Sequence, residues 1–381
     1  MTSFKGGDFS ANTLLLEHNL KHNLKVPDGM LGDFLYSALF KATPLEPNSL
    51  LKAVQAEAKK YGARKLSKFV LCGDLVAPKA LPRQRVVFDG ATISFPKSLL
   101  PKERAQMARS LENIEWLAEP NTAAIPFRVF VDAKSAFEAG EKAIEKLNLF
   151  RGIWNLVVNY PITSRYESGL QESHRPINSI RLGPVQILKG KNAKSFEERY
   201  WYEPNFTTRG VNPEPKLKPK KLKSYETFAR KQMLKAKTSK HIELAFIRYS
   251  QCLDLSDAHG SFLGLWGLLE HLTFTEDGRN ETTIRRTSFI FSDHSKAREL
   301  LYVLSRARNN YVHSAKGTHE IQKLQYMLKH FVERMITFHV HHAWKFQNRG
   351  EIEQFLQLPK PKETLKRKLY LARLALDDYA V

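Results

Sequence analysis

The chain of 381 residues is predicted to be α+β, with a mixed α/β N-terminal domain followed by an all-α helical bundle. Three observations predict this. Short β-rich runs bounded by turn residues lie in the first half. A break rich in Pro, Asn and Lys, "EPNFTTRGVNPEPKLKPKKLKS", follows, and its four prolines argue against a regular helix or a central strand. Beyond the break, apolar residues recur at helical spacing in four successive stripes. The expected organisation is a mixed domain over 1–203, a basic Pro-rich linker over 204–223, a bundle over 224–347 and a tail with one helix over 348–381.

In chain order, Asn48 can cap a helix from Ser49 to Tyr61, closed by Gly62. "RVVFDGATISF" (Arg85 to Phe95) holds two β-rich runs around Asp89-Gly90, a strong hairpin signal. "IPFRVFVDA" (Ile125 to Ala133) reads as a strand. Ser135 with Glu138 three residues on then forms a capping box for a helix burying Phe137, Ile144 and Leu147. "PVQILKG" near Val185 is another short strand. In the second half the stripes are Ile242, Ala245, Phe246, Tyr249, Leu253; then Phe262, Leu265, Trp266, Leu269; then Ala297, Leu300, Leu301, Leu304; and a longer one from Ile321 to Met335. Four such helices imply a bundle. A tail helix is expected at about Glu363 to Leu376.

Composition narrows the classes of function. The two cysteines, Cys72 and Cys252, exclude a disulfide scaffold and a cysteine zinc site, and fit a reducing cytosol. No apolar run approaches the ~18–20 residues that span a bilayer, and the N-terminus lacks the order of a signal peptide. The expectation is a cytoplasmic protein with no membrane partner. The net charge of +21 predicts a polyanionic partner, nucleic acid first and an anionic membrane surface second. The plainer alternative is a merely soluble basic protein.

The stretch "RARNNYVHSAKG" (Arg306 to Gly317) concentrates chemistry on the third stripe. Arg308 is four residues after Leu304 and seven after Leu301, so it continues the apolar face. A guanidinium on that side is costly unless it is paired or serves a site. It could close the bundle end against a carboxylate such as Glu270. Asn309 and His313, four apart, can share a face, whereas Arg308 and His313 lie about 140° apart on an unbroken helix. Either the helix opens before Ser314-Ala315-Lys316-Gly317, or a second copy of the chain completes the site. A histidine near a helix end can also be a plain C-terminal cap.

"LWGLLEHL" (Leu265 to Leu272), a loop, and "ARELLYVLSRARNNYVHSAKG" (Ala297 to Gly317) together resemble the HEPN superfamily, closest to its Apea-like branch. The superfamily's mark is Arg, four to six residues, then His, often with Asn directly after the Arg. Here it is Arg308-Asn309-Asn310-Tyr311-Val312-His313. The likeness covers roughly Ser224 to Gln347. It implies a HEPN-like bundle acting as a metal-independent endoribonuclease without cofactor, dimeric through the bundle, with two motifs facing across the interface. Arg308 would steady the scissile phosphate, Asn309 orient the site and His313 move protons, with Glu270 of "LLEHL" in support. Ser314 and Ala315 follow His313, so the tyrosine that some relatives carry two residues after the histidine is missing.

Other features add to this. From Arg209 to Lys240 the chain holds eleven Lys and Arg against two acids. Within it Lys218, Lys220, Lys221 and Lys223 read either as an RNA-gripping strap or as part of a solvated linker and an exposed helix face. Arg285 and Arg286 in "TIRRTSFIF" are read as a loop before the third stripe, where they could reach RNA or simply face water. "HVHHAW" puts His339 and His342 one turn apart, but no nearby carboxylate or thiol completes a metal site, so a solvated or partly buried helix end is expected. Tyr200, Trp201 and Tyr202 are expected to pack in a core rather than stack on bases.

The expected function is RNA cleavage by 2′-OH attack, by a toxin or antiphage-defence effector whose N-terminal domain receives a phage or regulatory trigger. The alternative is a non-catalytic RNA-binding or dimerisation scaffold. A third reading is a regulator whose N-terminal half binds a small molecule or peptide.

Overall fold

The computed structural model describes residues 30–41, 46–78, 81–82, 84–114, 124–162, 176–190, 195–206, 218–275, 278–314 and 320–379. The fold is α+β, with one antiparallel sheet in the first half and a helical second half. Helices α1 (Met30–Leu39) and α2 (Pro47–Gly62) pair through Phe34, Leu35, Val54 and Tyr61. Pro47 occupies the first turn of α2, where its missing N–H costs nothing, so Glu46 rather than Asn48 is the N-cap.

The sheet is built from β1 (Ser67–Val76), β2 (Val86–Phe88), β3 (Ala91–Ser94), β4 (Ala124–Ala133), β5 (Arg181–Lys189) and β6 (Phe196–Tyr202), in the order β2-β3-β4-β1-β5-β6. The hairpin at Asp89-Gly90 forms between β2 and β3, and both turn residues have positive φ, 45° and 74°, as a tight two-residue turn requires. Helix α3 (Pro101–Glu112) covers one face and α4 (Ala136–Asn159) the other. On β1 the side chains alternate between them. Phe69, Leu71 and Leu75 join the core beneath α4, while Val70 and Cys72 join a smaller cluster with Leu99, Met107, Val185 and Ile187. Ser135 caps α4 by accepting from the Glu138 N–H at 3.2 Å, and the Glu138 carboxylate accepts from the Lys134 N–H at 2.7 Å.

The second half contains α5 (Pro219–Lys235), α6 (Ser239–Asp254), α7 (Ala258–Leu272), α8 (Asn280–Phe289), α9 (His294–Ser314), α10 (Ile321–His342), α11 (Arg349–Leu356) and α12 (Lys362–Asp378). The four apolar stripes are α6, α7, α9 and α10. Helix reaches into two stretches where loop was expected. Pro219 takes the first turn of α5, so the end of the presumed linker is helical. "TIRRTSF" lies in α8. The tail holds the docked helix α11, with Ile352 and Leu356 buried, as well as α12.

The two halves share one hydrophobic core that runs from Phe69 in the sheet to Leu356 in α11. Helix α4 is its axis, packed on the sheet by one side and on α6 by the other. At their crossing, a Cβ on Gly152 would collide with the Phe246 carbonyl oxygen, so only glycine allows this approach. Buried polar links reinforce the junction. Fully buried Arg151 donates to Asp254 at 2.6 Å and to the Asn148 side chain at 2.6 Å. Trp154 donates to the buried Glu226 carboxylate at 3.1 Å, and Lys329 to the Asn159 carbonyl at 2.8 Å. The hairpin tip joins in: Asp89 accepts from Lys146 of α4 at 2.7 Å and Lys240 of α6 at 2.9 Å, which holds its carboxyl down at about 2.

Candidate functional site

Helix α9 carries the Arg–His motif. It continues without a break through Ser314, so the expectation that it opens just before that residue is not met. Its backbone therefore keeps positions 308 and 313 about 140° apart. The side chain of His313 lies outside the described residues. Arg308 is half-buried, and its guanidinium donates to the Asn309 side-chain oxygen at 3.1 Å. The same oxygen accepts from the Asn280 amide at 3.2 Å, so the first residue of α8 orients Asn309. Among the described residues, no carboxylate pairs with Arg308. Its neighbour Arg306 is exposed.

The structure adds three residues to the motif. Tyr311 stacks on His259 with ring centroids 4.5 Å apart and planes at 18°. His259 follows Asp257, the N-cap of α7, whose carboxylate accepts from the His259 and Gly260 N–H groups. The His259 Nε2 is buried without a hydrogen-bond partner. Asn280, the third, also leaves its Oδ1 buried and unpartnered. Asp257 ahead of an apolar run is a legible capping signal, but nothing in the spacing of residues 259 and 280 announces their contact with residues 309 and 311.

Glu270 is not part of this group. It lies near the last turn of α7, whereas Tyr311 meets His259 in the first turn, about 16 Å away along the helix. Glu270 accepts from Trp266 at 2.8 Å and lines a separate cavity of about 290 Å³ with Lys237, His241, His271, Phe274 and Arg349. There His241 is sandwiched between His271, at 3.9 Å, and Phe274, at 4.1 Å. His339 adjoins the stack at 5.4 Å, and its Nε2 lies 2.7 Å from the Leu272 carbonyl, which only accepts, so that nitrogen carries the proton. Burial, then the neighbouring His271, pushes His241 down to about 2, and burial pushes His339 down to about 4. His339 is thus a buried core residue while His342 is exposed. Among the described residues, no group of three or more His, Cys, Asp or Glu side chains is arranged to hold a metal ion.

The basic candidates divide. Lys218, Lys220 and Lys221 are exposed at the start of α5, whereas Lys223 is tied at 2.9 Å to the buried Glu226. Arg285 is exposed on α8. Arg286 is a correction: it points inward, donates to the carbonyls of Thr273 at 2.6 Å and Phe274 at 3.1 Å, and pairs with Glu353 at 3.1 Å. It closes the end of α7 onto α11 and is not available to RNA, because helical spacing turns residue 286 about 100° from exposed 285 and into the core. Arg209 and Lys216 of the basic run lie outside the described residues. Trp201 packs against Gly140 and donates to Glu141 at 2.8 Å, while Tyr202 is about half exposed.

The fold and site together define an α+β protein whose helical half presents an arginine–amide pair at one helix end. No family model, no curated protein and no solved structure matches the chain. Among the described residues, no helix is long and apolar enough to cross a membrane.

Proposed function

We propose that this chain is a HEPN-type endoribonuclease that cleaves RNA by attack of its own 2′-OH. The observation that carries the reading is Arg308, a half-buried cation with no carboxylate partner among the described residues, held by Asn309 and through it by Asn280. A partly desolvated guanidinium without an internal counter-ion is suited to an external anion, and its fork of donors matches phosphate oxygens. The reaction needs a base to take the 2′-OH proton, a cation to balance the charged phosphorane, and an acid to protonate the departing 5′-oxygen. An imidazole ordinarily titrates in the working range, and His313 is assigned the proton transfers, worth ~10²–10⁴-fold. Because α9 stays helical past residue 313, the 140° separation is met by two copies, each supplying the group the other lacks. The net charge of +21 favours a polyanionic substrate. The sheet half is the place for a regulatory trigger, as in a toxin or antiphage-defence effector.

The test is cleavage of labelled single-stranded RNA in EDTA by the full chain and by His313→Ala. The variant is expected to lose cleavage while keeping RNA affinity and melting temperature. Cleavage at the parent rate by a folded His313→Ala protein would remove the catalytic assignment. Binding without cleavage by the parent protein would leave the non-catalytic scaffold.

A further inference from the structure

We propose that the cavity between the start of α6, the end of α7 and the start of α11 is a binding site for a free α-amino acid. Its wall is not finished by packing alone. Thr238 and His241 both line it, and each leaves a buried polar atom, the Thr238 Oγ1 and the His241 Nε2, without a hydrogen-bond partner. Thr238 directly precedes α6, yet its side chain caps none of that helix's N–H groups, so the hydroxyl has no local use. Buried polar atoms are nearly always satisfied inside a folded protein, and each exception needs a reason. Phe274 lines the same cavity with φ at 55°, a left-handed conformation costly for an aromatic residue and concentrated at functional sites. Two arginines hold it there. The Phe274 carbonyl accepts from Arg286 at 3.1 Å and from Arg349 at 3.3 Å, and the Arg349 guanidinium lies 4.9 Å over the ring. That wall is set before any ligand arrives, which lowers the cost of binding.

Charge selects the ligand. Of the ionisable groups lining the cavity, Arg349 pairs with Glu353 at 2.7 Å, and Lys240 pairs with Asp89 at 2.9 Å and Glu243 at 3.1 Å. Burial holds His241 and His271 below the ordinary imidazole value, so both rings are neutral. Lys237 and Glu270 remain. Among the described residues Lys237 makes no ion pair, and the Glu270 carboxylate accepts from the Trp266 N–H at 2.8 Å and meets no cation. Opposite charges that line one cavity without pairing suit a ligand that carries both signs. An α-amino acid does so: its ammonium group donates to Glu270 and its carboxylate accepts from Lys237. A phosphate would be repelled by Glu270, and a diamine by Lys237. The orphaned hydroxyl and imidazole are left for a hydrogen-bonding side chain such as that of serine, asparagine or glutamine. At about 290 Å³ the cavity stands at the small end of ligand pockets, as a single amino acid requires. This inference does not rest on the ribonuclease reading, because the cavity lies at the other end of α7 from the contact with Tyr311.

Calorimetric titration of the full chain with L-serine, L-asparagine and L-glutamine tests it, alongside thermal melts at millimolar ligand. At least one of the three is expected to bind saturably and to raise the melting temperature, since only the folded chain has the cavity. Removing either charge from that ligand, as in its decarboxylated amine and its deaminated acid, should weaken binding roughly tenfold. Glu270→Gln keeps an acceptor for Trp266, and Lys237→Met keeps a long stem at an exposed position. Both variants should therefore melt with the parent chain when unliganded, and each should bind the amino acid roughly tenfold more weakly. Binding of none of the three, affinity unchanged in either variant, or equal binding of the amine or the acid would overturn the proposal. So would a cavity that takes inorganic phosphate in preference, which would make it an anion site only.

Discussion

Arg286 and Arg308 carry the same group on successive helices, and their surroundings set them to opposite uses. Arg286 is consumed by two carbonyls and a carboxylate, while Arg308, among the described residues, holds an amide oxygen and no carboxylate. The position of Arg308 is legible in the sequence because Leu301 and Leu304 mark the face it continues. The fate of Arg286 is not, because its acceptors are main-chain groups at the end of α7 that no side-chain spacing reveals. The same holds for the histidine stack, where three rings from α6, α7 and α10 meet only in three dimensions. That stack has a measurable consequence. His241, His271 and His339 are all held below the ordinary imidazole value, chiefly by burial. Above pH 6.5 they are neutral in both the folded and unfolded chain, and their contribution to stability is fully present. Below it the unfolded chain takes up protons that the folded one refuses, and His241 and His339 each cost about 1.4 kcal/mol per pH unit, with His271 acting in the same direction. Urea midpoints are therefore expected to fall markedly between pH 7 and 5.5. A flat profile over that window would mean the rings are not kept neutral.

At the scale of single elements, helices are legible wherever one face is buried, and poorly so where proline or a basic run masks them. Helix α5 is hidden in this way. Pro219 suggests a break but occupies the one turn that tolerates it. Strand β1 is hidden for a different reason: buried on both faces, it shows no alternation in "KFVLCGDLV". The helical setting of the basic run sharpens what its lysines can do. If RNA follows the start of α5, Lys218, Lys220 and Lys221 supply the phosphate contacts, and Lys223 does not because it neutralises Glu226. Changing the first three to Gln should flatten the salt dependence of single-stranded RNA affinity, by about 0.7 in log–log slope for each phosphate no longer neutralised. Lys223→Gln alone should leave that slope in place and lower stability, by stripping a counter-ion from a buried carboxylate. An unmoved slope in the triple variant would place the RNA path elsewhere, with Arg285 the next candidate.

For the whole molecule, the change of composition near residue 204 suggests two domains, but a composition shift reports how a segment is built and not what it packs against. Helix α4 sits between the sheet and α6, and the polar links it makes are the kind that cannot be left half-formed. Arg151 without Asp254, or Glu226 without Trp154, Lys223 and Arg230, would leave a buried charge uncompensated, at a cost of about 3–5 kcal/mol. The leucine and phenylalanine side chains around them belong to one continuous cluster. Separating the halves would therefore expose apolar surface and unpaired charge together. The expected outcome is one cooperative unfolding transition for the full chain. The two halves can be followed separately in the unaltered chain by pulsed hydrogen exchange over a urea series, at the amides of β1 in the sheet and of α7 in the bundle. The two probes should report the same midpoint, and calorimetric and van't Hoff enthalpies should agree. Gly152→Ala should lower both midpoints together, because its methyl group collides with the backbone of α6 at the point where the halves meet. Two separated transitions, or a Gly152→Ala effect confined to one probe, would show instead that the sheet and the bundle are independent units joined at residue 204.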